Sequence, residues 1–151
     1  MEKPVEKIPR IREESVCPCK NSGKSYATCC MPFHYGRAKP ETAEQLMRSR
    51  YSAYFFRLLN YLIETTHPDK RTIKMEREIE DTLDHPLWRK LTIISTSKGQ
   101  KEDRTGKVEF IAKYDIDKQS YELHEKSRFR KHKGLWKYCL LYTSPSPRDR
   151  G

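Results

Sequence analysis

Four of the chain's five cysteines are crowded between positions 17 and 30, as the pair Cys17-x-Cys19 followed by the adjacent pair Cys29-Cys30. Structural zinc is held by four soft ligands arranged as a tetrahedron, and thiolates are among its usual protein ligands. A Cys-x-Cys pair offers two thiolates from one tight turn, and the adjacent pair closes the site from the start of the next element. The spacing predicts one structural Zn²⁺ bound by Cys17, Cys19, Cys29 and Cys30. Metal binding would supply the folding free energy of so small a segment.

Other roles for these cysteines are less favoured. Disulfides need an oxidising compartment, whereas the charged N-terminus lacks the apolar core of a secretory signal, so we expect a cytoplasmic protein with reduced thiols. Redox catalysis favours a Cys-x-x-Cys spacing, which the sequence does not contain. An iron–sulfur cluster is chemically possible but has no supporting spacing. His34 is an alternative zinc ligand, although four thiolates already complete a tetrahedron.

The composition is compatible with one domain of ordinary size, or with one domain and a small appendage. The 151 residues are 35% hydrophobic, 34% charged and 11% aromatic, so we expect a small core rich in aromatic side chains. No apolar run approaches the roughly 18–20 residues of a membrane span, and we expect no membrane partner. The net charge of +10 permits RNA or the ribosome as a partner, but the basic residues are spread along the chain, and a solvated basic surface is the alternative.

The hydrophobic pattern divides the chain into a predicted flexible arm (1–15), a zinc module (16–36) and a main domain (42–138) joined by a short linker. Thr42 and Gln45 form a capping box, which predicts that the main domain opens with a helix. The hydrophobic period later changes from 3.6 to 2, which is typical of strands. Further helices are predicted at 61–63 and 72–83, and strands at 91–97, 108–114, 121–131 and 135–138. Helices followed by an antiparallel meander predict an α+β fold.

The third predicted strand places two polar residues on the face meant for the core. Glu125 and Ser127 alternate in step with Phe129, whereas the opposite face is charged. A buried carboxylate needs a charged or hydrogen-bonding partner, and the first helix of the main domain offers Arg50. We therefore predict an Arg50–Glu125 ion pair beneath the sheet.

This pair is either purely architectural or part of a polar pocket. In the second interpretation the pocket residues are Arg50, Tyr51, Tyr54, His67, Glu125 and Ser127. The sequence His67-Pro68-Asp69 suggests acid–base chemistry near such a pocket, but a His-Pro pair that simply ends a helix is the plainer explanation.

Two stretches of the sequence resemble known proteins. Cys-Pro-Cys at 17–19, Ser-Gly-Lys-Ser-Tyr at 22–26 and Cys29-Cys30 resemble the SEC-C motif, the zinc-binding tail of the SecA translocation ATPase. That motif usually ends in Cys-His, with Cys-Cys as a variant. The rest of the chain resembles the bacterial YchJ family of uncharacterised proteins. The matching pieces are Pro32-Phe33-His34, the run 43–54, Tyr61-Leu62, Thr66-His67-Pro68 and the run 125–129.

The last residues have a different origin in our interpretation. The segment from Cys139 to Asp149 resembles an in-frame translation of a sequencing adapter, with a natural Ser/Pro linker as the alternative. We therefore predict that residues 139–151 are an artefactual tail and that the natural sequence stops at about Tyr138. Removing Cys139 from the count leaves only the four clustered cysteines.

The YchJ resemblance implies a nuclear-transport-factor-two-like (cystatin-like) cone of helices packed on a curved antiparallel sheet, here truncated at its last strand. Folds of this kind often enclose a pocket, but a fold alone assigns no function. The SEC-C resemblance implies docking, because this motif of SecA binds a chaperone and the ribosome.

We favour a zinc-dependent protein-interaction module with an unidentified protein partner. The alternatives are a small-molecule-binding protein or enzyme that uses the cone pocket, and an RNA- or ribosome-associated basic protein. An enzyme is less favoured, and we assign no catalytic residue, because the sequence contains no Gly-rich phosphate loop, activated nucleophile or nucleotide fingerprint.

Overall fold

A computed structural model describes residues 13–20, 23–84 and 86–141. Short 3₁₀ turns lie at Tyr26–Thr28 and Pro68–Lys70. The helices are α1 (Met31–His34), α2 (Ala43–Phe56), α3 (Leu59–Glu64) and α4 (Ile73–Asp84), and the strands are β1 (Leu87–Lys98), β2 (Thr105–Ile116), β3 (Gln119–His132) and β4 (Leu135–Leu141). The predicted α+β class is confirmed: helices precede a four-stranded antiparallel sheet of order β1-β2-β3-β4.

Helix α2 begins where the capping box predicts, and it ends at Phe56. The Thr42 hydroxyl accepts a hydrogen bond from the Gln45 backbone N–H at 3.1 Å. At the other end, Arg57 takes the left-handed conformation with a φ of 63°, and the Leu58 N–H donates to the Ala53 carbonyl at 2.8 Å. This is a Schellman-type stop, in which glycine is the usual residue. Because Arg57 replaces glycine, the sequence carries no signal for the stop.

The sheet is curved and presents one face to the helices. Register shifts interrupt the β1–β2 ladder between Trp88 and Lys90 and between Ile93 and Ser95, and such bulges bend a strand. On β3, Glu125 and Ser127 are buried on the covered face, as the alternation predicts. Tyr121 lies on the same face by alternation but is 43% exposed.

Each strand is longer than its sequence prediction, and β4 reaches residues that we assigned to the tail. Cys139, Leu140 and Leu141 continue β4, so these positions are part of the sheet in this chain. Residues 142–151 of the predicted tail lie outside the described residues, as do residues 1–12 of the predicted arm. The described end of the arm pairs with the zinc module, because the Ser15 carbonyl accepts from the Tyr26 N–H at 2.8 Å.

The segment that follows α3 covers part of the outer edge of β4. The His67 N–H donates to the Tyr138 carbonyl at 2.8 Å, and the Tyr138 N–H donates to the Thr65 carbonyl at 2.7 Å. These bonds form a short parallel bridge between Thr66 and Tyr138.

The main hydrophobic core joins the N-terminal zinc module (16–36) to the sheet. It contains Cys17, Cys19 and Cys30 together with residues of α2, β2 and β3. A second, smaller cluster lies between α2, α3 and α4 around Leu62 and Ile79. Within the described part of the chain, no helix combines the length and apolarity needed to cross a lipid bilayer.

Two glycines allow α2 to start directly against the β1–β2 hairpin. The Ala43 N–H donates to the Gly99 carbonyl at 2.9 Å. A Cβ at Gly106 would lie 2.5 Å from the Gly99 Cα, and a Cβ at Gly99 would lie 2.8 Å from the Ala43 Cβ. Side chains are therefore excluded at both positions.

We expect Gly106→Ala to destabilise the chain by about 1–3 kcal/mol, because the new methyl group must displace backbone atoms in a packed joint. Urea unfolding measures this change. Gly134→Ala is the matched control: its φ is +82° but no atom lies within 4 Å of the added Cβ. Gly134→Ala should lower the free energy of unfolding only by the backbone strain, about 1 kcal/mol. Equal losses in the two variants would contradict the close packing at Gly106.

Candidate metal centre

Two short backbone turns bring the four clustered cysteines together. The first is a turn in which the Lys20 N–H donates to the Cys17 carbonyl at 2.8 Å, and it carries Cys17 and Cys19. The second is the 3₁₀ turn Tyr26–Thr28, which leads directly into Cys29, while Cys30 caps the N-terminus of α1. The two pairs therefore face each other from consecutive elements, as their spacing requires.

The sulfur positions fit a tetrahedral zinc ion. All four Sγ atoms lie within 4.8 Å of one another, and the cysteines are free thiols. The Sγ–Sγ distances are 3.6 Å for Cys19–Cys29, 3.8 Å for Cys19–Cys30 and 3.9 Å for Cys29–Cys30. A tetrahedron with Zn–S bonds of about 2.3 Å has edges of about 3.8 Å. The residues present therefore fit Zn²⁺ in a closed, structural type of site.

The hydrogen bonds among the four thiols shift their pKa values in different directions. Hydrogen bonds with Cys19, Cys29 and Cys30 hold the pKa of Cys17 well below its usual value. Hydrogen bonds with Cys17 and Cys19 hold the pKa of Cys30 well above it. Four thiolates packed this closely repel one another, so full ionisation needs a compensating cation. A divalent soft metal supplies that charge, and its binding releases protons.

Helix α2 supplies the surroundings of the cluster. The Ser52 hydroxyl donates to the Cys30 Sγ at 3.4 Å and lies 3.5 Å from the Cys17 Sγ. The Arg48 Nη1 donates to the Cys19 carbonyl at 3.0 Å. Ser52, Cys17 and Cys19 are fully buried, so these contacts lie in a dry environment in which they orient the sulfurs.

His34 lies beside the cluster but has other partners. Its Nε2 lies 2.8 Å from the Ser49 carbonyl, which can only accept, so Nε2 carries the proton. The Tyr26 hydroxyl is 2.8 Å from Nδ1 and donates to it. Burial lowers the pKa of His34, which favours this neutral form. His34 thus links the zinc module to α2 through a hydrogen bond. Both of its ring nitrogens already have partners, so the geometry does not favour His34 as a zinc ligand.

The predicted pocket residues are divided between two places. Arg50, Tyr51, Tyr54 and Ser127 line a cavity of about 230 Å³ between α2 and the sheet, which we call the cone pocket. His67 is buried elsewhere, with its ring 5.1 Å from that of His132 and its Nε2 3.2 Å from the Arg130 Nη2. Its Nδ1 accepts from the Asp69 N–H at 3.1 Å, which supports the plainer explanation of a residue that ends one element and caps the next.

Arg50 is anchored at the base of the cone pocket. Its Nη1 donates to the Leu62 carbonyl at 2.9 Å and to the Thr65 Oγ1 at 2.6 Å, and its guanidinium carbon lies 4.3 Å from the centre of the Tyr138 ring. Glu125 is 4% exposed. Burial raises the pKa of Tyr138, and the charge of Glu125 adds to this rise. The ion pair between Arg50 and Glu125 stays a prediction.

Sequence reasoning missed several residues at both sites. Ser52 and Arg48 give no local signal, since a serine or arginine inside a helix is ordinary. Trp88 and Tyr138 line the cone pocket although they are distant from α2 in the sequence. The long-range pairing of β4 with the segment after α3 brings Tyr138 there, and hydrophobic alternation does not specify such pairing.

Comparison with known proteins gives consistent results. A family model described as the YchJ middle NTF2-like domain matches residues 42–140. A UPF0225 protein of Geobacter sulfurreducens is 39% identical over 134 residues, which is 88% of this chain and 83% of the relative. A UPF0225 protein of Vibrio parahaemolyticus is 40% identical over 124 residues, which is 82% of this chain and 72% of the relative.

Two solved structures resemble the chain. The solution structure of a SEC-C motif containing protein from Rhodopseudomonas palustris has a TM-score of 0.76 and 30% identity, and the match covers 85% of this chain and 98% of that one. The crystal structure of a SEC-C motif containing protein from Psychrobacter arcticus has a TM-score of 0.71 and 27% identity, covering 89% and 85%. The similarity includes most of both chains in each case.

We expect the purified chain to contain about one zinc ion and Cys30→Ser to contain much less, because three thiolates leave the tetrahedron open. Mass spectrometry of the metal content measures this. Cys139→Ser is the control, since Cys139 is buried in β4 away from the four sulfurs. Equal zinc in the Cys30 variant and the wild type would contradict the assignment.

We expect Ser52→Ala to weaken zinc binding by about tenfold, because the Cys30 sulfur loses a donor that orients it. Competition with a chromophoric chelator measures the affinity. Ser49→Ala is the matched control: Ser49 is equally buried on α2, but its hydroxyl bonds to Leu46 and Tyr61 rather than to a sulfur. A similar loss in the control would show that packing of α2, and not the sulfur contact, determines the affinity.

Proposed function

The chain belongs to the YchJ-like family, and from this premise we propose that it is a cytoplasmic docking protein whose recognition surface depends on zinc. Zn²⁺ holds the N-terminal zinc module (16–36) against the main domain (42–138), which we call the cone domain. The cleft formed between the two then receives an acidic segment of a partner protein. The docking role implied by the SEC-C resemblance supports this proposal.

A cleft of about 250 Å³ at the junction of the two parts carries the proposal. We call it the junction cleft. Phe33, His34 and Tyr35 line it from the module side, and Tyr61, Leu135 and Trp136 line it from α3 and β4. The Trp136 Nε1 donates to the Glu41 carbonyl at 3.0 Å, which fixes the linker across β4. The cleft is thus walled by residues from both sides of the linker.

The module wall presents an exposed aromatic side chain. Tyr35 is 62% exposed, and the Arg37 guanidinium lies 5.2 Å from the centre of its ring. Exposed aromatic residues next to arginine are enriched at protein interfaces, where they bury large areas with little loss of side-chain entropy. An apolar side chain of a partner can therefore pack on Tyr35 inside the junction cleft.

The charge near the cleft favours an acidic partner. Burial lowers the pKa of Lys137, and the nearby charges of Arg71 and Lys39 lower it further, so three cations lie close enough to repel one another. The Glu64 carboxylate raises the pKa of Lys137, and the Lys137 Nζ donates to the Glu64 backbone carbonyl at 2.7 Å. A carboxylate of a partner relieves this repulsion, and it also raises the rate of association.

Zinc is coupled to the cleft through the chain itself. Cys30 is the N-cap of α1, so the metal would fix the position of Phe33 and Tyr35 a few residues later. Loss of the metal frees this wall of the junction cleft, whereas the wall formed by α3 and β4 remains. Docking is therefore expected to fail without zinc even where the cone domain stays folded.

A second candidate, association with RNA or the ribosome, has support from one groove. This groove has a volume of about 340 Å³ and is lined by Lys70, Lys98, Lys107, Arg128 and Arg130. Asp69 partly neutralises it through a 3.0 Å contact with Arg130. A basic groove of this kind can follow a phosphate backbone, with binding that weakens as salt rises.

The test is affinity capture from a bacterial lysate, followed by binding measurements with the purified captured protein. We expect Lys39→Glu and Lys137→Glu to weaken binding at least about tenfold, because each replaces an attraction with a repulsion. Tyr35→Ala and zinc chelation should have effects of similar size. Lys118→Glu is the charge-matched control, since Lys118 lies in the β2–β3 turn away from the junction cleft.

Binding that is unaffected by Lys137→Glu and Tyr35→Ala would overturn the docking proposal. Capture that disappears after ribonuclease treatment would favour the RNA candidate instead. Zinc content is measured on every variant, so that loss of docking is separated from loss of metal.

A further inference from the structure

The groove beside the β1–β2 turn has the composition of an anion site. Its volume is about 340 Å³, and we call it the basic groove. Cations from four elements line it: Lys70, Lys98, Lys107, Arg128 and Arg130. Among the described residues of this lining, none is acidic. Asp69 lies outside the lining and contacts the Arg130 guanidinium from one side at 3.0 Å.

The register of the sheet places like charges side by side in the basic groove. Lys107 of β2 lies directly opposite Arg128 of β3, and Thr105 lies directly opposite Arg130. Residues two apart on a strand share a face, so these four residues form one block on the same side of the sheet. Like charges on directly opposed residues destabilise a sheet. A bound anion lowers this repulsion, so the arrangement favours a ligand with negative charge.

Two further features suit the block to phosphate oxygens. Ser97 lies directly opposite Lys107 on the other neighbouring strand and also lines the groove, and a hydroxyl can donate to such an oxygen. The Arg130 Nη2 donates to the Asp69 carboxylate at 3.0 Å and lies 3.2 Å from the His67 Nε2. These contacts restrain the guanidinium, so less side-chain entropy is lost when its planar fork binds an anion.

The basic groove is open to solvent but offers little surface for a nucleobase. Arg128 and Arg130 are exposed, so a dissolved ligand can reach them. Among the described lining residues Phe129 alone is aromatic, and it is only 1% exposed. Proteins that bind single-stranded nucleic acid stack the bases on accessible aromatic side chains. The groove therefore favours the phosphate groups of a small ligand over single-stranded RNA.

We propose that the basic groove binds a condensed phosphate, an anion with two directly linked phosphoryl groups. Lys107 and Arg128 bind one phosphoryl group from adjacent strands, and Arg130 binds the next. A phosphate monoester carries roughly −1.5 to −2 charges at pH 7, so about two phosphoryl groups balance most of the charge of the five lining cations. All five cations precede position 139, where the predicted tail begins.

This inference is independent of the docking proposal. The described linings of the basic groove and of the junction cleft share no residue, so either site can exist without the other. The inference gives the groove an occupant different from the one that the RNA candidate requires.

The experiment is amide NMR of the full chain titrated with pyrophosphate at low salt. We expect saturable shifts at the amides of Gly106, Lys107 and Arg128 and little change at Gly36 and Lys137, which line the junction cleft. Lys107→Gln and Arg128→Gln should each weaken binding about tenfold, because each removes a charge-assisted hydrogen bond. Calorimetry measures the affinity of each variant.

Lys118→Gln is the charge-matched control, since Lys118 lies in the β2–β3 turn, at the opposite end of β2 from the basic groove. It should bind pyrophosphate with wild-type affinity. Unchanged affinity in both Lys107→Gln and Arg128→Gln, or an equal loss in the control, would overturn the proposal. Shifts centred on Cys17 and Cys30 with release of zinc would also overturn it, because they would show chelation of the metal.

Two further ligands test the assignment of the anion. Orthophosphate that binds as tightly as pyrophosphate would overturn the assignment of two linked phosphoryl groups. A short oligouridylate that displaces pyrophosphate at lower concentration would overturn the proposal in favour of the RNA candidate.

Discussion

The packing of four cysteines against one face of α2 determines how the N-terminal module and the cone domain are joined. Ser52 contacts the sulfurs of Cys17 and Cys30, and Arg48 bonds to the Cys19 carbonyl. Cys17, Cys19 and Cys30 then form one core with the sheet. A zinc ion bound here would close a small loop, and it would also hold the cysteine side of that core in place.

Much of this arrangement is encoded locally, and the exceptions have physical reasons. The start of α2 follows from the Thr42 hydroxyl, whereas its end depends on Arg57 in a conformation that usually signals glycine. The burial of Glu125 and Ser127 follows from alternation, but Tyr121 on the same face is 43% exposed. His67 was expected in the cone pocket, yet its ring packs against His132, because the pairing of Tyr138 with the segment after α3 sets its direction.

Helix α2 separates two environments of opposite character. Consecutive residues alternate between them: Tyr51 lines the cone pocket, while Ser52 contacts sulfur on the other side. Burial raises the pKa of Tyr51, and the charge of Cys19 adds to this rise. A single rigid element therefore positions the candidate metal ligands and one wall of the cone pocket at once, and a shift of α2 would alter both.

The bridge between Thr66 and Tyr138 has a consequence for how the chain behaves in a crowded solution. The free edge of a sheet is a template on which a second chain can add a strand, which is a common route to self-association. Hydrogen bonds from His67 to Tyr138 and from Tyr138 to Thr65 occupy that template near the middle of β4. The segment after α3 thus occupies backbone groups that an added strand would need. It protects this edge without a dedicated helix or an extra strand.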